Sequence, residues 1–348
     1  MKLSLKHRDQ RLGPMINKRL RRRTASQRKI KVKNLRSAWP YTQDRYVIKA
    51  PHAINVQGKS NRRQNSKFFN QIRKSIIDRE MKAILDFSDT QHIHPTGGLL
   101  LTAELDRAKR ISEQLFDVKI VNSEVPTINA VLNQIGIAEI CGVALEVEDA
   151  DKAENVRHWR FATGERINHQ TTRAFEQFEG KLAGNLRKGM WKSISEALGN
   201  SALHAYVAPR GTGTKRMGHK RWWMFSQERD ERLTVVVCDL GIGIPNSLPL
   251  KMEPSALSRL YDGIVGQGRD CRAIRGAIKL GASSTGEAHR GKGLPQIWHE
   301  LRDLNADSVT ILSNKGAVSW SRETNSERSF EYNESIFGTV ISWVVPLG

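Results

Sequence analysis

The sequence predicts an α/β protein with two folded parts, and three observations carry that prediction. Between Ala83 and Ile135 short apolar strands alternate with helical patterns, the order of a small α/β domain. After a charged, irregular stretch, the apolar strands Val235–Val237 and Phe337–Gly348 bracket a second set of helical segments. The chain has 348 residues and is 39% apolar, enough for two cores at roughly 150 residues per domain. The expected divisions are a basic arm over 1–45, a first domain over 46–142, a connection over 143–158 and a second domain over 159–348.

The arm carries most of the charge asymmetry. Residues 1–36 hold 14 Lys or Arg against Asp9 alone, a surplus of +13 out of a net +20. The run Lys18–Arg36 has too few large apolar residues to build a core, so the arm is expected to be flexible. Such a run suits polyanions, because each neutralised phosphate releases a counterion; non-specific nucleic acid is one candidate partner of residues 1–36. A second basic stretch, Gly58–Ser75, places Phe68, Phe69 and Ile72 at i, i+1 and i+4, the pattern of an amphipathic helix packing on the next domain.

In the first domain Ala83–Phe87 reads as a buried strand, Ile93–Gly98 as a turn, and Leu99–Leu115 as a helix. Phe116–Val121 alternates as another strand. Pro126–Ile135 is a second helix stopped by Gly136.

The second domain opens with a strand or hairpin at Trp159–Asn168 and a helix over Thr172–Lys188. In the helix Ser195–Tyr206, Glu196, Asn200 and His204 fall at i, i+4 and i+8 on one face, while Ile194 and Leu198 point to a core. An amide oxygen suits Mg2+ already bound to phosphates, and a carboxylate one turn away can activate a water or hydroxyl. The glycine-rich basic segment Ala208–Trp223 lacks the spacing of a Walker A loop and reads as a hairpin loop, with a strand from Trp222 pairing Leu233–Cys238. That second strand runs into Asp239, which can accept a hydrogen bond from an exocyclic amine, and then into Gly241 and Gly243. Asn246–His289 has the composition of a mobile lid with helices at Pro254–Tyr261 and Arg272–Leu280. Gly291, Lys292 and Gly293 precede the helix Leu294–Leu301, so backbone N–H groups there can meet a polyphosphate.

In this order and spacing, SEALGNSALHAY (Ser195–Tyr206), VVVCDLGIGIP (Val235–Pro245) and RGKGL (Arg290–Leu294) resemble the N, G1 and G2 boxes of the GHKL ATPase superfamily of gyrase, heat-shock chaperones, histidine kinases and MutL proteins. Phe337–Gly348 resembles its closing G-T segment. The resemblance implies a GHKL-type (Bergerat) α/β sandwich: a mixed, mainly antiparallel sheet with helices on one face and ATP held between helices and lid. It assigns Asn200 to Mg2+, Asp239 to the adenine amino group, Gly241 and Gly243 to the adenine loop, and Thr339 to the vicinity of the base. Gly291, Lys292, Gly293 and His204 fall to the phosphates, and Glu196 to activation of the acceptor. The ending H-A-Y is closest to the anti-sigma-factor serine kinases, although Gly199 stands where those kinases carry Thr.

The first domain resembles the STAS domain of anti-sigma-factor antagonists, in which a D-F-S strand leads to an I-D-S-S-G turn at a helix start. Asp86, Phe87 and Ser88 match the strand, and Ile93–Gly97 align with the turn, with His94 and Pro95 in place of Asp and Ser. The resemblance makes Thr96 a candidate phospho-acceptor, where a phosphate at a helix N-terminus is electrostatically favourable. The competing reading makes Thr96 the helix N-cap.

Together these features lead to the expectation of an ATP- and Mg2+-dependent regulatory protein. It would hydrolyse ATP or phosphorylate Ser or Thr on a STAS-like domain or a sigma-regulatory partner, and many relatives form homodimers. The alternative is a non-catalytic ATP sensor that binds nucleic acid through its arm. Three cysteines, Cys141, Cys238 and Cys271, without a C-x-x-C pair, support neither a disulfide framework nor a zinc ribbon. The absence of a long apolar run and of an apolar stretch after the basic start leads to the expectation of a cytoplasmic protein without membrane association.

Overall fold

The computed structural model describes residues 44–145, 160–165, 184–213, 220–262, 264, 268–280 and 293–347. The basic run 18–36, residues 146–158 of the connection, residues 172–183 of the helix expected over Thr172–Lys188, and the glycine-rich stretch 281–292 with Gly291 and Lys292 lie outside them. The chain divides into Met1–Val47 and a compact unit Ile48–Gly348, so the segments expected as first and second domains pack within one unit. No helix among the described residues is long and apolar enough to cross a membrane.

Two sheets organise that unit. The first has three strands in the order β1 (Tyr46–Lys49), β3 (Ala83–Asp86), β5 (Val118–Val121), and a two-residue bridge pairs β2 (Ala53–Ile54) with β4 (His92–Ile93). Strands β3 and β5 are parallel, with Ala83 opposite Val118. A parallel pair needs a crossover, here the helix α2 (Pro95–Ser112), which follows α1 (Lys59–Ile72) in the chain. The aromatic pattern predicted for the second basic stretch is the buried face of α1: Phe68, Phe69 and Ile72 lie inside with Arg62 and Asn65. Helix α3 (Pro126–Gln134) and the single turn α4 (Ile137–Cys141) complete this layer, with Gly136 between them at φ 81.

The start of α2 corrects one reading. The N-cap is His94, not Thr96: Pro95 occupies the first helical position, where its fixed φ suits the helix. The imidazole Nδ1 lies 2.9 Å from Thr96 Oγ1 and accepts from the Thr96 amide. Thr96 is fully buried.

The second sheet has seven strands in the order β11-β10-β9-β12-β8-β7-β6. These are β6 (Arg160–Gly164), β7 (Trp222–Arg229), β8 (Arg232–Asp239), β9 (Ser308–Ser313), β10 (Gly316–Ser321), β11 (Ser326–Glu331) and β12 (Thr339–Pro346). The expectation was a mixed, mainly antiparallel sheet; every neighbouring pair is antiparallel. The reason is that β8 and β9 run in the same direction but are not neighbours. The C-terminal strand β12 inserts between them, Val340 pairing both Cys238 and Leu312.

The long helices of the C-terminal half lie on one face of this sheet, as expected, and α2 of the N-terminal layer covers the other. The first face carries α5 (Gly184–His204), α8 (Arg269–Leu280) and α9 (Gly293–Asp303); the short α6 (Ile244–Ser247) and α7 (Pro254–Asp262) lie between α5 and α8 in the chain. Their core contains Ile194 and Leu198 of α5, Ile274 of α8 and Trp298 of α9, packed on Trp222, Met224, Val235, Val237 and Trp343. The alternate residues Trp223, Phe225, Val236 and Cys238 are buried on the opposite face, against α2. Trp223 Nε1 donates to Asp106 Oδ2 of α2 at 3.0 Å. Burial on both faces explains why β8 reads as an unbroken apolar run rather than an alternation.

Helix α5 merges two expected elements, since Gly184–Lys188 continue without a break into the Ser195–Tyr206 segment. Gly199 sits in its interior, where an added Cβ would meet nothing within 4 Å. Gly199→Ala is therefore expected to stabilise the fold by about 0.5–1 kcal/mol, since alanine orders more cheaply in a helix than glycine; thermal unfolding checks this.

Candidate functional site

The helix α5, the end of β8, the loop and short helix after it, the start of α9 and the start of β12 enclose a cleft of about 930 Å3. Glu196, Asn200 and His204 line it from α5, Asp239 from β8, Gly243 from the following loop, Gly293 from α9 and Thr339 from β12. The α5 face follows from its period: Met190, Ile194, Ala197 and Leu198 are buried in the core, which turns Glu196, Asn200 and His204 to the other side. Segments of α5, β8 with its following loop, α9 and β12, far apart in the chain, thus meet around one cavity. Gly291 and Lys292, expected beside them, lie outside the described residues.

Asp239 lies at the cleft floor. It is 6% exposed, and its backbone pairs on both sides, with Trp222 of β7 and Thr339 of β12. One carboxylate oxygen accepts the Gly241 amide at 2.9 Å. Burial raises its pKa to about 6, against the amides of Gly241 and Thr339, Arg210 and the Ser201 hydroxyl, which favour the ionised form. A buried carboxylate with unused acceptor capacity is suited to a ligand that donates, such as an amine.

The two glycines after Asp239 have different causes. Gly241 does not line the cleft; a Cβ there would strike the Ala205 carbonyl, and Ile242 N–H donates to that same carbonyl at 2.8 Å. This glycine locks the loop onto the end of α5. Gly243 has φ 78, and its added Cβ would lie 2.6 Å from Asn314 Nδ2.

Gly293 closes the cleft at its other end. A Cβ on it would stand 2.7 Å from Asn200 Nδ2 and 2.9 Å from Glu196 Oε2, so the start of α9 passes directly over both side chains. Gly293→Ala is expected to displace Asn200 and Glu196 and to weaken any ligand held by them by ~1–2 kcal/mol, roughly 5- to 30-fold, because close-packed contacts yield only by shifting. Titration of that variant with ATP checks it.

These residues fit a polyphosphate-bound cation. Asn200 Nδ2 is buried with no partner among the described residues, a free donor beside the Glu196 carboxylate that suits a phosphate oxygen, while a cation would take the carboxamide oxygen. No group of three His, Cys, Asp or Glu side chains that could hold a metal ion occurs among the described residues. One amide is a suitable share of a Mg2+ shell whose other oxygens come from phosphate and water. Burial first, then Lys251, lowers the His204 pKa and favours its neutral form.

Sequence reasoning missed one residue that lines the cleft and two that brace it from behind. Lys251 lines the cleft, and partial burial lowers its ammonium to about 8. Ser313 bridges the wall, its hydroxyl accepting the Ile244 amide at 2.9 Å and lying 3.0 Å from Thr339 Oγ1. Asn314, at φ 49, donates from Nδ2 to the Ile242 carbonyl at 2.8 Å and accepts the Gly338 amide at 3.3 Å. None sits in a motif; only the left-handed Asn-Lys turn after an apolar strand was a local signal at Asn314. Comparison of the chain with protein-family models, curated proteins and solved structures finds no match.

Proposed function

We propose that residues 160–347 form a nucleotide-binding unit of GHKL type, that ATP with Mg2+ occupies the cleft, and that the chain works as an ATP-dependent regulatory switch. The observation that carries this reading is the convergence of Glu196 and Asn200, Asp239, Gly293 and Thr339 from distant motifs on one cavity. The three-stranded layer with α2 is read as the STAS-like part.

In this reading the Asp239 carboxylate accepts the adenine amino group, and Thr339 flanks the base. Backbone amides at the start of α9 and the His204 ring meet the phosphates. Bound Mg2+ would neutralise phosphate charge, with Asn200 as its protein ligand. Glu196 accepts the proton of the attacking group, either water in an ATPase or a Ser/Thr hydroxyl in a kinase. Thr96 is fully buried and bonded to His94, which supports water or a partner's hydroxyl as acceptor over phosphorylation in cis.

The test is to incubate the full chain with Mg2+ and γ-labelled ATP and follow label in free phosphate and in protein. Released phosphate alone supports the ATPase switch, and label on protein supports the kinase. ATP binding without turnover would favour the sensor whose basic residues 1–36 hold nucleic acid. No ATP binding would overturn the reading.

A further inference from the structure

The cleft's floor is tied to the N-terminal layer by a buried ion cluster that the reading above does not use. Glu104 of α2 is 0% exposed, and Arg73 and Arg210 are buried beside it. Arg210 lies in the segment after α5, and its Nη2 and Nη1 reach the two carboxylate oxygens of Glu104 at 2.6 and 3.2 Å. Arg73 Nη1 donates to the same carboxylate at 2.6 Å. Burial pushes the Glu104 carboxyl up, but Arg210, then Arg73, outweigh it and hold its pKa at about 2.

Arg210 has a second set of bonds. Its Nε donates to the Phe337 carbonyl at 2.5 Å and its Nη2 to the Ile336 carbonyl at 3.3 Å. Phe337 has φ 53, a left-handed conformation that a bulky residue adopts only when its surroundings impose it. Arg73 stacks over the Phe337 ring at 5.2 Å. The next residue, Gly338, passes so close to the Asp239 carbonyl that a Cβ would overlap it, and Thr339 follows in the cleft wall.

We propose that Arg210 is a positioning residue for the adenine end of the cleft and that Glu104, on the N-terminal layer, sets how firmly it holds. The inference rests on the nucleotide reading. Arg210 fixes the strained Phe337 backbone, which places Gly338 and Thr339 against Asp239. Glu104 holds Arg210 in the orientation that reaches those carbonyls. A change that loosens α2 is thereby transmitted to the base site without touching the ligand.

The groups around Asp239 give this a signature that mere structural support lacks. They are the amides of Gly241 and Thr339, Ser201 of α5, Tyr206 and Arg210 after α5, and Cys238 on β8. Arg210 is the cation among them, and Glu104 is its buried counter-charge.

The experiment titrates ATP into the full-length chain and its Arg210→Gln, Arg210→Lys and Glu104→Gln variants between pH 5 and 8, with hydrogen exchange of residues 336–340 measured without nucleotide. Arg210→Gln is expected to weaken ATP ~3- to 30-fold, the usual span for coupling through packed networks. It is also expected to raise the pH at which binding is half lost and to speed exchange at 336–340. Glu104→Gln, which leaves the arginines uncompensated, is expected to lower that pH. Arg210→Lys keeps the charge, so its affinity falls while the midpoint stays; it is decisive should Glu104→Gln not fold. A folded Arg210 variant with unchanged affinity and unchanged exchange overturns the proposal. If the natural chain binds no ATP, the nucleotide reading falls, and exchange at 336–340 alone decides the positioning role.

Discussion

Asp239→Asn is expected to raise stability at neutral pH and to remove most adenine affinity. The carboxyl pKa is about 6 in the fold against 3.8 ordinarily, with burial the chief cause. The folded chain therefore holds this proton more tightly than the unfolded chain does. Its contribution to stability is greatest below pH ~4, declines as pH rises towards 6, and stays at its lowest above that. Asparagine removes that dependence and keeps an oxygen for the Gly241 amide, for an expected gain of about 1–3 kcal/mol at pH 7. Binding moves the other way, since a hydrogen bond to a charged acceptor contributes about 1.5–3 kcal/mol, or roughly 10- to 150-fold in affinity. In the natural chain ATP affinity should fall as pH drops through about 6, where Asp239 protonates. Thermal unfolding and ATP titration at pH 5 and 7 test both parts. Undiminished ATP affinity in Asp239→Asn at pH 7 would remove Asp239 from the site.

The opposed signs are what a functional group should show. A buried carboxylate that costs stability is retained when a ligand repays the cost, and a purely architectural role offers no such repayment. Glu104 is the contrast: it is buried still more completely, but its pKa is held down at about 2 by Arg210 and Arg73 despite burial. Its charge is satisfied within the fold, and Asp239's is not.

This contrast also marks what was legible in the sequence. The face of Glu196, Asn200 and His204 was readable because a helix repeats every 3.6 residues, so spacing alone places three side chains together. Asp239 was readable because a β-branched run ended there. Lys251, Asn314 and Arg210 were not readable, because each acquires its role from a partner far along the chain, as Arg210 does from Glu104, 106 residues away. The capping error at α2 has a local origin: the hydroxyl of Thr96 was weighed and the imidazole of His94 was not, although Pro95 at the first helical position marks the residue before it as the cap. The uniformly antiparallel sheet was hidden for a global reason. Nothing in Thr339–Pro346 itself says that this strand enters between β8 and β9 rather than at an edge.

Glu196→Gln is the change expected to affect chemistry most. Glutamine keeps the shape that packs beneath Gly293 but cannot accept a proton at neutral pH. Loss of a positioned general base lowers turnover by ~10²- to 10⁴-fold. Affinity for ATP should hold or rise slightly, because a carboxylate beside Asn200 would repel the phosphates of a nucleotide bound there. The two effects separate in a single-turnover measurement with γ-labelled ATP, in which binding and phosphate release are read independently. Equal loss of binding and turnover would make Glu196 a structural support of the cleft. Turnover that survives intact would assign proton acceptance to another group; among the described cleft residues His204 is then the candidate, since burial and Lys251 favour its neutral, proton-accepting form. Alanine at position 196 would instead empty the space beneath Gly293 and let α9 settle towards α5, so that loss of a base and displacement of the helix start would coincide.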